Sequence, residues 1–336
     1  MEHQRRSSGG LLLKINGTQL QSAVAKQRKR RRAESNTDAG LHGDAARDGD
    51  DDENRDWPTV VLAAFEAVLC GLENQQDSAR SSNTATEQTP FPLSALKSLS
   101  GIELRHCELQ ARHIDADAEA AASLTPILLS PSRLWSRPVA PSSPAPLGNS
   151  LTTLDLECNL LGDDGVERLC AHLLPRLPHL QRLLLASNRI TTAGFLALLR
   201  AVSLSTPSHP ALALEVLGLT NNAVGGARED DNNGVKDGDK DVFAAWSAAV
   251  QAFARCTAQT LRRVHLNHAS LTTREAAVLI DTILQHTCAE GDVAVFEFLY
   301  LRENKRVSKE EVMQRLHEMT RDAKILHEFI EKRVSW

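Results

Sequence analysis

Apolar and polar positions along the chain fall into a spacing that recurs. Residues 151–161 (LTTLDLECNLL) fit the template L-x-x-L-x-L-x-x-N-x-L, and residues 180–190 (LQRLLLASNRI) fit it again 29 positions later. Residues 214–224 (LEVLGLTNNAV) make a third copy. Looser copies stand at 99–109 (LSGIELRHCEL), 261–271 (LRRVHLNHASL) and 296–306 (FEFLYLRENKR). The polar position of the template is therefore Cys107, Asn159, Asn188, Asn222, Ala269 and Asn304.

Each part of the template has a physical cause. The central apolar positions alternate, as on a short strand with one side buried and the other facing out. The asparagine ends that strand where the chain turns inward, and its amide is suited to bond backbone groups of neighbouring coils that would otherwise be buried unpaired. Cysteine or alanine there gives up some of this bonding. After the turn the period changes to that of a helix: Gly165, Leu169, Leu173 and Leu177 are spaced four apart on one face. Gly194, Leu198 and Val202 repeat those offsets, as do Glu275, Leu279 and Ile283.

A unit of strand, turn and helix about 28–29 residues long, copied in register, resembles the ribonuclease-inhibitor-like leucine-rich repeats. That group includes Ran GTPase-activating proteins and tropomodulins. The resemblance covers about residues 93–307, and the copies at Leu151 and Leu180 are its most specific part. It implies an α/β solenoid of six or seven repeats: a right-handed arc with parallel strands on the concave face and helices on the convex face. It also implies a protein-binding role, or alternatively regulation of a GTPase or association with the cytoskeleton. The Ran GTPase-activating proteins have about eleven repeats and an acidic C-terminal tail; this chain is shorter and ends in a mixed-charge helical stretch.

Departures from the 29-residue spacing locate insertions. Cys107 and Asn159 are 52 positions apart and enclose the proline-rich stretch 130–149; Asn222 and Ala269 are 47 apart and enclose a polar loop at about 226–241. Neither composition suits independent folding. At the N-terminus, residues 10–20 (GLLLKINGTQL) read as one more strand, with Leu13, Ile15 and Leu20 apolar and Thr18 at the polar position. Residues 57–72 read as a helix with Val61, Phe65, Val68 and Leu72 on one face. Together they make residues 1–92 a degenerate first repeat split by a charged insertion at about 21–56; the other arrangement is a tail over 1–56 with only the helix capping the stack. At the C-terminus, Ser308-Lys309-Glu310-Glu311 is a capping-box pattern that opens a helix over 308–336. Its stripe of Val312, Leu316, Met319, Ala323, Leu326 and Ile330 is either a cap on the last repeat or a contact for a partner or second copy.

Composition narrows the classes. Aromatics are 4% of the 336 residues, with Tyr300 the single tyrosine, which suits thin leucine-rich layers. A net charge of −5 gives no general pull toward nucleic acid or anionic membranes, and no stretch is long and apolar enough to span a bilayer. The three leucines Leu11–Leu13 are too short for a signal-peptide core. Six cysteines without a CxxC pair read as free thiols in a reduced, cytoplasmic protein. The basic run Lys26 to Arg32, followed by the acidic stretch Asp48 to Asp56, is either a nuclear import signal or a solvated insertion whose halves attract. No aromatics interleave with its arginines, so nucleic acid is not an expected partner.

Candidate chemistry is sparse. The loop Glu229 to Asp241 imitates a calcium loop when Gly234 is aligned with the required glycine. Lys240 then stands where a bidentate glutamate is needed and Lys236 at the hydrophobic position, which excludes it. His265 and His268 lack a third ligand nearby, and no Cys–His spacing fits zinc. There is no nucleophile elbow and no phosphate-binding glycine loop. The sequence thus predicts no cofactor, no metal and no catalytic residues. What remains is the outward side of the strands: Glu103 and Arg105, Asp155 and Glu157, Leu184 and Ala186, Gly218 and Thr220, His265 and Asn267, Tyr300 and Arg302. This ladder is acidic at its start, small and apolar in the middle, and basic-aromatic at its end. It predicts a concave surface that binds a protein, on a chain acting as a monomer.

Overall fold

The six copies of the template each fold as a strand, turn and returning segment. The computed structural model describes residues 11–22, 26, 57–65, 99–114, 123–129, 150–204, 212–226, 237–287, 295–319 and 322–336. Its strands are β1 (Leu11–Asn16), β2 (Leu99–Arg105), β3 (Thr153–Asp155), β4 (Arg182–Leu184), β5 (Val216–Gly218), β6 (Arg263–His265), β7 (Phe298–Tyr300) and β8 (Val334–Ser335). They form one eight-stranded sheet in the order of the chain, every neighbouring pair parallel. Helices return the chain between strands: α1 (Leu124–Leu129), α2 (Gly162–Arg168), α3 (Thr192–Ser203), α4 (Asp237–Thr257), α5 (Thr273–Thr287), α6 (Lys309–Met319) and α7 (Ala323–Arg333). Beyond α2 the helix widens to a π turn over Leu169–Leu173 and tightens to 3-10 over Leu174–Arg176. The sheet is open, an α/β solenoid arc with its strands on the concave side.

The core is the predicted one. The central inward position is buried in every strand from β2 to β7, and Ile102, Leu154, Leu183, Leu217, Val264 and Leu299 form one layer. The helix faces close over it: Leu169, Leu173 and Leu177, then Leu198 and Val202, then Leu279 and Ile283 are all buried. Trp246 on α4 is fully buried between Phe195 and Phe243, with ring centroids 6.0 and 6.4 Å away. Its indole N–H donates to the carbonyl of Val224 at 3.3 Å.

The asparagines stitch adjacent coils. Asn222 Oδ1 accepts the backbone N–H groups of Asn188 and Ile190 on the preceding coil, each at 3.0 Å. Its Nδ2 donates to the carbonyls of Leu185 and Leu219. Asn159 and Asn304 repeat this four-bond pattern on their own neighbours. Cys107 imitates it weakly, its thiol 3.2 Å from the carbonyl of Arg105, and burial pushes that thiol up to about 11. The residue before the polar position has positive φ in all six coils: His106, Cys158, Ser187, Asn221, His268 and Glu303. The inward turn thus demands left-handed backbone from residues that are not glycine.

At the N-terminal end, β1 pairs with β2 in the register Leu13↔Ile102 and Ile15↔Leu104. Residues 17–22 turn helical, with Asn16 Oδ1 accepting the N–H groups of Thr18 and Gln19. Residues 57–65 are helical and bury Val61, Leu62 and Phe65. Val68 and Leu72, the proline-rich stretch 130–149 and the basic run beyond Lys26 lie outside the described residues.

Two expectations change. The loop at 226–241 does not run its full length, because α4 already begins at Asp237. The helix expected over 308–336 is instead two helices and a strand. Asp322 caps α7, its carboxylate accepting the N–H groups of Lys324 and Ile325, which starts a new helix rather than continuing α6. The last residues then extend and pair with β7 as β8. The apolar stripe is correspondingly broken: Val312, Leu316, Leu326 and Ile330 are buried, whereas Met319 is 47% exposed. The expected capping box at Ser308 is half formed. Ser308 Oγ accepts the N–H of Glu311, while the Ser308 N–H donates to Thr273 Oγ1 on the preceding coil.

Candidate binding face

The parallel register lines up the predicted outward residues strand by strand. One row runs Lys14, Glu103, Asp155, Leu184, Gly218, His265, Tyr300 and Ser335. The next row contains Arg105, Glu157, Ala186, Thr220, Asn267 and Arg302. Along it the ladder continues, with carbonyls of Ala186, Thr220, Asn267 and Arg302 accepting N–H groups of the preceding coil. All twelve predicted residues therefore share one face of the sheet, but not on equal terms.

At its start the face is an internally paired charge cluster. Lys14 Nζ lies 3.0 Å from Glu103, and Arg105 Nη1 lies 3.3 Å from Glu157. Arg105 Nε donates to Asp155 Oδ2 at 2.8 Å, and its Nη2 also reaches that carboxylate. Asp155 is a correction to the expected contact surface: it is fully buried, and its other oxygen accepts the N–H of Glu157. A carboxylate so enclosed holds Arg105 in place and is not free for a partner. Burial first, and then the charge of Asp155, push the Glu157 carboxyl above its ordinary range.

The middle is small and apolar. Gly218 is buried and also drops out as a contact, because the half-buried side chain of Leu184 lies over it. Ala186 and Thr220 are half-buried beside it.

The far end is aromatic and cationic. His265 stacks on Tyr300 with centroids 4.4 Å apart and planes 14° from parallel, and Phe298 leans on Tyr300 at 5.8 Å. His265 is held below its ordinary value by burial and then by Arg263 and Arg182. Asn267 accepts the Arg302 N–H at 2.8 Å, and Arg302 Nε donates to Ser335 Oγ.

A third outward row is absent from the predicted residues: Leu12, Gly101, Thr153, Arg182, Val216, Arg263 and Phe298. Its signal is present in the sequence, since period-two alternation puts the position before each central leucine outside just as it does the position after. Within this row Arg263 pairs with Glu297 at 2.7 Å, whereas Arg182 is exposed and makes no ion pair among the described residues.

No group of three His, Cys, Asp or Glu among the described residues is placed to hold a metal ion. No described helix is long and apolar enough to cross a membrane. No curated protein matches the chain. A family model described as Leucine Rich repeat matches residues 149–170, the stretch that carries β3 and Asn159. With eight parallel strands alternating with helices in one open sheet, that match identifies the architecture as a leucine-rich-repeat arc.

Proposed function

We propose that this chain is a non-catalytic protein-binding scaffold whose partner lies along the concave strand face. The observation that carries the reading is the continuous ladder itself. Eight in-register strands present half-buried Leu184, Tyr300 and His265 with exposed Phe298 and Arg302 on one side. Curved strand surfaces of this kind are what solenoids use for binding, and tyrosine and arginine are enriched where binding energy concentrates. The helices that close the described coils support the ribonuclease-inhibitor-like type of repeat. A monomer in the cytoplasm, with nuclear entry through Lys26 to Arg32, belongs to the same proposal.

The test is affinity capture from cell extract, comparing wild type with a Leu184→Arg, Thr220→Arg variant. Both substitutions add bulk and charge to the middle of the face and leave the inward leucines alone. A partner retained by wild type and lost by the still-folded variant supports the reading; partners indifferent to the variant overturn it. A scaffold also leaves GTP hydrolysis by candidate GTPases unchanged and does not pellet with actin filaments.

A further inference from the structure

We infer that the partner segment received by the β4–β7 half of the concave face is an acidic peptide with an apolar residue between its carboxylates. The inference rests on the concave-face reading and sharpens it. The two halves of the face differ in what they leave unsatisfied. At the β1–β3 end each carboxylate of the two main rows already has an arginine or lysine on it. Across β4–β7 the three outward rows hold no carboxylate at all.

Two cations there are left for a ligand. Arg182 opens β4 on the exposed side and makes no ion pair among the described residues. Arg302, just beyond β7, is exposed, and among the described residues its side chain bonds only the neutral hydroxyl of Ser335. Between them lie half-buried Leu184 and the His265–Tyr300–Phe298 stack, with Phe298 40% exposed. Strands are about 4.8 Å apart and residues about 3.3 Å apart along a strand. Three strands and four residues therefore separate the two guanidinium-bearing positions by about 20 Å, the reach of about six extended residues. A ligand that satisfies both has acidic groups about six residues apart and apolar surface between them. Each carboxylate would take a bidentate pair from a guanidinium, which fixes direction as well as charge.

The same geometry disfavours a nucleic-acid strand. A strand carries a phosphate at every nucleotide and gains from bases stacking on free aromatic faces. Here His265 already covers a face of Tyr300, and Glu215 and Glu297 border the patch beside Arg262 and Arg263.

The experiment uses the full chain and fluorescence anisotropy. The probe is a fluorescein-labelled peptide, Glu-Glu-Ser-Leu-Trp-Ser-Glu-Glu, set against the same peptide with lysine in place of glutamate and a labelled oligo-dT. The expected result is saturable binding of the acidic probe alone, at least tenfold weaker for Arg182→Glu, Arg302→Glu, whose folding is checked by its unfolding midpoint. Equal binding by that variant, no binding by wild type, or tighter binding of oligo-dT overturns the inference. Failure here is separable from failure of the concave reading. A captured partner lost with Leu184→Arg, Thr220→Arg but indifferent to the two arginine reversals keeps the surface and discards the acidic ligand.

Discussion

The side chain of Leu184 lies across the α-carbon of Gly218, so closely that a β-carbon built on Gly218 would stand 2.8 Å from Leu184 Cδ2. The obstructing atom is the far end of a flexible side chain, and rotating it costs little. Gly218→Ala is therefore expected to lower stability by about 1 kcal/mol or less. At Gly225 the obstruction is backbone: a β-carbon would meet the Ser270 carbonyl oxygen at 2.3 Å and Leu271 Cα at 2.8 Å. Gly225→Ala should cost about 3 kcal/mol, because two coils must move apart. Denaturant midpoints of the two variants check the contrast, and equal losses would show that the coils are not held at this spacing.

The asparagine ladder predicts an order of effects. Asn222 and Asn304 each make four buried bonds to backbone, two of them to N–H groups of the preceding coil. Asn188 donates to Leu156 and Ala186, but its buried Oδ1 has no partner. Replacing Asn222 by alanine strands both donors and acceptors, at a cost of about 3 kcal/mol or more. Asn188→Ala takes one donor from each of two carbonyls that keep another, Leu156 from Asn159 Nδ2 and Ala186 from the Cys158 N–H, and should cost measurably less. Unfolding curves of Asn188→Ala, Asn222→Ala and Asn304→Ala settle the order; a larger loss at Asn188 would contradict this pattern of bonds.

Much of the arc was legible because its determinants are local and repeated. The spacing of Leu151, Leu154, Leu156 and Asn159 encodes strand, turn and rung within eleven residues, and parallel stacking then copies it in register. What was missed depends on contacts between distant segments. Nothing local in Val334–Ser335 marks a strand; those residues extend because β7 leaves an open edge beside them. Asp155 reads as an outward acid, and only the fold brings Arg105, fifty positions earlier, over it. Leu184 reads as an exposed leucine until Gly218 gives it a bed. Arg182 differs from these, since its outward position follows from local alternation alone: both neighbours of a central leucine turn away from the core.

The environment of His265 makes a pH-dependent prediction. Burial, then Arg263 and Arg182, hold it below its ordinary value, while its ring rests on Tyr300. The unfolded chain therefore binds this proton more readily than the folded one. The histidine's contribution is fully present above the ordinary histidine value, about 6.5, and is lost as pH falls through that point toward the depressed folded one. Arg182→Gln removes one of the repelling charges and should move His265 upward, with burial and Arg263 still holding it low. An NMR titration of the imidazole protons, assigned by comparison with His265→Gln, reads the shift directly. A downward move or none would mean that Arg182 does not face this ring.

The C-terminal segment should behave as a cap whose loss is felt close by. Phe329 on α7 stacks against Phe296 at 6.1 Å, and Ser335 accepts the Leu301 N–H at 2.7 Å. Removing residues 322–336 uncovers Phe296, Leu299 and Leu301, all now buried, and leaves β7 with an unpaired edge. Phe329→Ala alone should cost about 3 kcal/mol from lost packing. Because each coil of a solenoid touches only its neighbours, truncation should loosen the last repeat before the middle of the arc. Hydrogen exchange separates the cases: the amides of Leu299 and Leu301 lose protection in the truncated chain, while those of Leu154 and Leu183 keep theirs. If protection survives at Leu301, the segment is an appendage and not a cap. If it disappears as far as Leu154, the eight strands unfold as one cooperative unit, and the nearest-neighbour picture of this arc fails.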